Sequence, residues 1–419
     1  MDTSSAPQST FSKKVIFMLF GVASLLGWNA LLTELGFFNN FLPSMKPFVS
    51  FSFLNYILNI VFQFLIFCKK DLFSLKFQLI GGTVGSIIFL ILIPLCTIVL
   101  GKDELINIII TGGLIVLMGF INALCSGGFF GLVSNFPLEM IVALSTGQGF
   151  SGIVMNLIQY IVLLSISSTD DKSYIIQACI FFVISVIILL ICLVLLLFSF
   201  NNEYFQYYLN KSKNESKELN NELLPVDDGK LDVGETNTEN KEVSFCELFQ
   251  KIWHLDLLVL YIYIVTFALF PNASINQQLF GLSFDFSSNT IILIYNCFDT
   301  IGRYLVSKVK PSKNLNMIVT FGRSFLLFTL VFNYYCQDGL EWNINVTSIL
   351  LIINVGLLAA TSGIGTTLCF GLAPNEVEDE YKGQAGTSVS FFLILGIFLG
   401  SCVAFLTNAI IDTFKKPTS

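Results

Sequence analysis

Arginine is almost absent. Of 22 basic side chains in 419 residues, only Arg303 and Arg323 are arginines, and histidine occurs once, at His254. Charged residues make up 12% of the chain, against about 25% in soluble globular domains. A soluble globular protein is thereby excluded. No HExxH, GxSxG or GxxxxGK[ST] pattern occurs, so the usual signatures of zinc proteases, serine hydrolases and phosphate-cradling NTPases are missing. The ten cysteines form no CxxC pair and mostly fall in apolar runs, as small buried hydrophobes do. The first apolar run, about 15–38, is too long for a signal-peptide core and lacks a small-residue cleavage pattern.

What is present is hydrocarbon: 54% hydrophobic residues, 43 phenylalanines and a mean hydropathy of +0.76. Apolar stretches of about 20 residues, long enough to cross the bilayer core as helices, recur along the whole chain. An outer-membrane barrel would show alternating ten-residue segments instead. The reading is an all-α polytopic membrane protein with eleven helices, near 14–38, 51–68, 76–99, 106–134, 140–166, 174–200, 255–279, 288–308, 314–335, 345–373 and 384–411. The connection 201–254, rich in Asn, Glu, Lys and Ser, has the composition of a disordered linker. It divides the chain into a bundle over 14–200 and a second over 255–411, with tails at 1–13 and 412–419. Lysines set the orientation. Lys13, Lys14, Lys69, Lys70 and Lys76, with Lys308, Lys310 and Lys313, fall on one side. The opposite connections hold few, so positive-inside places the N-terminus and the linker in the cytoplasm and the C-terminus outside.

Against this background "YNCFDTIGRY" (295–304) stands out. A charge at the centre of a membrane helix costs about 2.5–3.5 kcal/mol on insertion scales, so such residues usually face a cavity and find a partner. Asp299 and Arg303 lie at i, i+4 on one helix face, and Asn296 lies three residues before Asp299. As a neutral pair, Asp299 can accept from hydroxyls and Arg303 can donate to carbonyl or ring acceptors. The plainer alternative is that Arg303 snorkels to the nearby helix end with Asp299 as its tether. Arg323 has no acidic partner nearby in sequence and suits a structural or gating role. Glu34, near the outer end of the first helix, reads as wet. Leu25, Trp28 and Leu32 share a face of the first helix, beside Asn29. "SGGFFGL" (126–132), "GQGFSG" (147–152), "TSGIGTT" (361–367) and "GQAGTS" (383–388) read first as close helix packing. "FP" at Phe270-Pro271 reads first as a kink.

Taken in order, these segments resemble the equilibrative nucleoside transporter family over nearly the whole chain. Leu25-Leu26-Gly27-Trp28-Asn29 is similar to that family's first-helix "LLPWN", with glycine in place of proline. The run from Ser126 to Leu132, ending at Pro137, resembles its fourth-helix motif, and Gly147-Gln148-Gly149 its fifth-helix "GQG". Phe270-Pro271, the Tyr295–Arg303 stretch, Arg323 and Ala385-Gly386 follow as in the seventh, eighth, ninth and eleventh helices. The resemblance implies a major-facilitator-like pair of bundles around a central cavity. It also implies substrate contacts at Asp299, Arg303, Trp28, Leu25, Asn296 and Ser126, and gating or structural roles for Asn29, Gln148, Phe270, Pro271 and Arg323. Ser126 stands where the family has a base-recognising glutamine.

The function expected is facilitative nucleoside transport, with nucleobases as a further class and a compositional lean to purines, in the plasma membrane. No cofactor, metal, nucleic-acid partner or enzymatic activity is expected. The partners are substrates such as adenosine, inosine or uridine and the surrounding lipid, for a monomeric carrier. Two alternatives stay open: a proton-coupled carrier of the same fold, in which Asp299 or Glu34 titrates, and a non-transporting receptor or channel.

Overall fold

The computed structural model describes residues 9–414 except 70–71, 102, 167–169, 212–244, 271–273, 275–276, 278, 339 and 341. Its regular elements are helical. The N-terminal set is α1 (Phe11–Thr33), the short α2 (Leu35–Phe41), α3 (Pro47–Cys68), α4 (Leu75–Leu100), α5 (Glu104–Val133), α6 (Leu138–Ser165) and α7 (Asp171–Ser199). A short helix, α8, covers 203–211. The C-terminal set is α9 (Phe245–Leu269), α10 (Phe284–Leu305), α11 (Lys313–Gly322), α12 (Phe325–Asp338), α13 (Ile344–Leu372) and α14 (Lys382–Phe414).

Ten stretches among the described residues are long and apolar enough to cross a membrane. α10 has the length, with 22 residues, but its polar residues keep it out of that set. Several helices open on a side-chain cap of the ordinary kind: Ser74 accepts from Phe77 N–H at 3.3 Å and Ser312 from Leu315 N–H at 3.2 Å. Before α7, the hydroxyl and N–H of Ser173 bond the Asp170 carboxylate and hold it below the usual range.

Two bundles result. α1 packs on α6, α5 on α3 and α4, and α7 on α4, while α9 packs on α14 and α10 on α13. The bundles meet along two seams, α6 against α10 and α14 against α3 and α5. Glycine allows the closest approaches. A methyl on Gly147 would overlap the Met18 carbonyl of α1, and one on Gly363 of α13 would overlap the Asp299 carbonyl of α10. These are small-residue contacts of the kind that let membrane helices come together.

The expected linker over 201–254 is narrower than its composition implies. Residues 203–211 are helical and α9 begins at Phe245, so His254, within the expected linker, lies inside a helix. Tyr204 and Phe205 of α8 are buried, and Phe205 stacks on Phe17 of α1 at 5.1 Å. Aromatic anchoring thus overrides the polar composition around it. The middle of the linker, the Pro271 position and the last residues fall outside the described residues. Glu34, expected to be wet, is buried at the break between α1 and α2.

Candidate substrate site

Between the bundles lies a cavity, partly open to solvent. Its lining follows α1 from Ser24 to Thr33, the last residue of that helix. Opposite stands α10, which contributes Ile292, Tyr295, Asn296, Asp299 and Arg303. Four-residue and three-residue steps along α10 place these on one face.

Arg303 does not snorkel. Its residue exposure is 4% and that of Asp299 is 5%, and Arg303 Nε donates to Asp299 Oδ2 at 2.7 Å. The guanidinium also reaches the other bundle: Nη1 donates to Gln148 Oε1 at 3.1 Å and to Ser145 O at 3.4 Å. Nη2 donates to the Tyr263 hydroxyl of α9 at 3.5 Å. Gln148 in turn donates to Ser24 Oγ of α1 at 3.1 Å. The charge is therefore compensated and hydrogen-bonded, the condition under which a buried pair survives in a low dielectric. Asp299 Oδ1 is different, being buried with no partner among the described residues. One carboxylate oxygen is fixed and the other is a buried, unused acceptor in a residue that lines the cavity.

The rest of the wall is aromatic and aliphatic. Trp28 stands edge-on to Tyr56 with ring centroids 5.6 Å apart, and Phe270 stacks on Tyr295 at 4.0 Å. Flat apolar faces beside a few fixed polar groups are the usual make-up of a small-molecule pocket.

The family model described as "Nucleoside transporter" matches residues 113–409. The chain belongs to the nucleoside transporter family. Rat equilibrative nucleoside transporter 1 is 26% identical, covering 98% of this chain and 100% of the rat protein. The human protein of that name is 25% identical over 98% and 100%. Equilibrative nucleotide transporter 1 of Arabidopsis thaliana is 25% identical over 96% and 87%. Among solved structures, the major facilitator proton:xylose symporter XylE superposes with a TM-score of 0.64 at 13% identity, covering 97% of this chain and 96% of XylE. The outward conformation of FucP gives 0.58 at 15%, covering 96% and 92%. These two likenesses concern the fold alone, which is that of the major facilitator class.

In this nucleoside transporter, Leu25, Trp28, Asn29, Ser126, Gln148, Phe270, Asn296, Asp299 and Arg303 all line one cavity. Asn29 donates to Ser151 Oγ of α6 at 2.6 Å. Asn296 sits over Gly152, where a methyl would overlap its amide, so the "GQGFSG" glycines pack as well as frame the site. Arg323 is set apart. It lies buried at the break between α11 and α12, where Nη2 donates to Thr266 Oγ1 at 2.7 Å and Leu358 O at 3.2 Å. Sequence reasoning missed Ser24, Asn55, Tyr56, Asn59, Asn122, Tyr263 and Ser390, which also line the cavity. For the α3 residues a signal existed: Asn55, Asn59 and Gln63 recur every fourth residue in an otherwise apolar run.

Proposed function

We propose that this chain moves nucleosides down their gradient by alternating access, in a plasma membrane, as a monomer with eleven spans, a cytoplasmic N-terminus and an external C-terminus. Asp299 carries the reading: it lines the cavity, with Oδ2 held by Arg303 and Oδ1 buried without a partner among the described residues. A nucleoside is polar and uncharged at neutral pH, and its water hydrogen bonds need replacing during transit. An unpaired buried polar group costs about 1–3 kcal/mol. A carboxylate oxygen accepts from ribose hydroxyls, and the Trp28, Tyr56 and Phe270–Tyr295 rings offer faces for a base. Asp299, Arg303, Trp28, Leu25, Asn296 and Ser126 surround the substrate. Asn29, Gln148 and Arg323 tie helices together as the bundles rock about the site. Adenosine, inosine and uridine are the substrates to try first, with nucleobases as a further class and purines favoured.

Uptake of labelled adenosine and uridine into transporter-deficient cells tests this. Uptake that follows the nucleoside gradient and ignores an imposed pH gradient is expected, with Asp299→Ala lowering it by about 10- to 100-fold. Unchanged uptake by that variant would remove Asp299 from the site. Terminal epitope tags read in intact cells test the orientation: the C-terminal tag is expected to be reached and the N-terminal tag protected.

A further inference from the structure

α3 carries a second polar stripe. Asn55, Asn59 and Gln63 stand four residues apart, so they share a helix face, and all three are buried in a helix otherwise rich in Phe, Leu, Ile and Val. Buried amides in a membrane helix are costly unless something pairs with them. Asn55 is paired: Nδ2 donates to Ile115 O at 3.4 Å and Oδ1 accepts from Asn122 at 3.1 Å. The other two are not fully paired. Oδ1 of Asn59, which lines the cavity, and Oε1 of Gln63 are buried without a partner among the described residues.

Gln63 Nε2 donates to Ser126 Oγ at 2.7 Å and to Ser390 Oγ at 3.1 Å. One amide thus sets two cavity-lining hydroxyls, one from each bundle. Each serine oxygen receives a hydrogen and is left to donate its own. Ser126 donates to Asn122 O at 2.7 Å. Ser390 has no partner besides Gln63 among the described residues, so its proton is available to a ligand. Across the cavity Arg303 is differently placed, its donors directed at Asp299, Ser145, Gln148 and Tyr263. Acceptor atoms of a base would have to break that set to pair there. The α3 wall requires no such rupture, because the Asn59 amide offers a donor and an acceptor side by side and Ser390 offers a further donor. Side-chain amides pair with base edges in this two-point manner.

Resting on the nucleoside reading above, we infer that Asn59 and Ser390 contact the base, and that Gln63 is a positioning residue that orients the Ser126 and Ser390 hydroxyls. This wall sets which base is accepted, and Asp299 holds the ribose.

Labelled adenosine uptake is measured with unlabelled adenosine, inosine and 3′-deoxyadenosine as competitors, corrected for protein at the cell surface. Adenosine and inosine share the ribose but differ at the base edge, where an amine faces a carbonyl. Asn59→Leu and Gln63→Leu are expected to shift the adenosine-to-inosine ratio of half-inhibiting concentrations by about tenfold, the effect of one buried polar group left unpaired. Their adenosine-to-3′-deoxyadenosine ratio is expected to stay fixed. Asp299→Asn is expected to move the second ratio and spare the first. A fall in total uptake with an unmoved adenosine-to-inosine ratio overturns the inference, because a merely structural Gln63 would do that. Where a leucine variant fails to reach the surface, Gln63→Glu and Ser390→Ala decide by the same ratio. Unaltered protein that takes up neither nucleoside overturns the nucleoside reading itself, which is a separate outcome.

Discussion

At the scale of the residue, the Asp299–Arg303 pair has an asymmetric sensitivity to mutation. Removing one partner leaves an uncompensated charge in the membrane interior, at about 3–5 kcal/mol, whereas removing both can be nearly neutral. Arg303→Ala is therefore expected to lower the thermal stability of the detergent-solubilised protein more than the Asp299→Ala/Arg303→Ala double variant does. Fluorescence-detected melting measures this, and equal losses would contradict the pairing geometry. Asp256 of α9 poses the opposite case. It is fully buried, its Oδ2 accepts from Ser388 Oγ of α14 at 2.9 Å, and its Oδ1 has no partner among the described residues. An asparagine supplies the same acceptor without a charge. Asp256→Asn is expected to keep uptake within about twofold, and Asp256→Leu to lose surface expression, since Ser388 is then left unpaired. Asp299 and Arg303 were legible in the sequence because two charges at i, i+4 conflict with an apolar segment. Gln63 was only half legible: its four-residue spacing from Asn59 and Asn55 is visible in the sequence, but amides recur throughout the chain and only burial separates a paired one from an orphan.

At the scale of the element, α6 carries the packing of the site. Gly147 faces α1, where a methyl would meet the Met18 carbonyl, and Gly149 and Gly152 face α10 at Thr300 and Asn296. Main-chain atoms cannot move aside as a flexible side chain can. Gly147→Val is expected to reduce folded protein at the surface by about tenfold or more, while Gly113→Val in α5, where a methyl meets nothing within 4 Å, is expected to leave it unchanged. Quantitative surface biotinylation separates the two. The existence of these helices was legible from hydropathy, and the motif's position in the fifth span from its order. Their ends were less so. Glu247, Lys251 and His254 look like linker, yet they belong to α9, whose first turns extend beyond the apolar run. There Lys251 meets Glu378 at 3.0 Å, a contact that no local pattern announces. The break at Arg323 was equally hidden, since its partners Thr266 and Leu358 lie in other helices.

At the scale of the whole molecule, one end is closed between the bundles. Phe130 of α5 stacks on Phe370 of α13 with centroids 3.6 Å apart, and Lys211 of α8 lies 3.4 Å from Asp379 before α14. The ion pair is largely exposed and contributes little by itself, so the aromatic stack is the firmer of the two. Alternating access requires this end to part. Cysteines at 130 and 370, placed in a background stripped of native cysteines, are expected to stop uptake when joined by a short cross-linker and to restore it on reduction. Uptake that continues with the link formed would mean that this end stays shut throughout the cycle. The two-bundle plan was legible from the long polar connection between six apolar segments and five. Which ends touch was not, because bundle contacts join residues hundreds of positions apart.

The α6–α10 seam adds a kinetic consequence. Where Gly149 and Gly152 lie beneath Thr300 and Asn296, α6 sets no side chain of its own against α10, so only the α10 side chains and the Arg303 hydrogen bonds have to shift when one helix moves on the other. Such a bearing needs little enthalpy to turn. The temperature dependence of uptake should then be shallow in the native protein and steepen once Gly149 is given a side chain that has to be dislodged at every turnover.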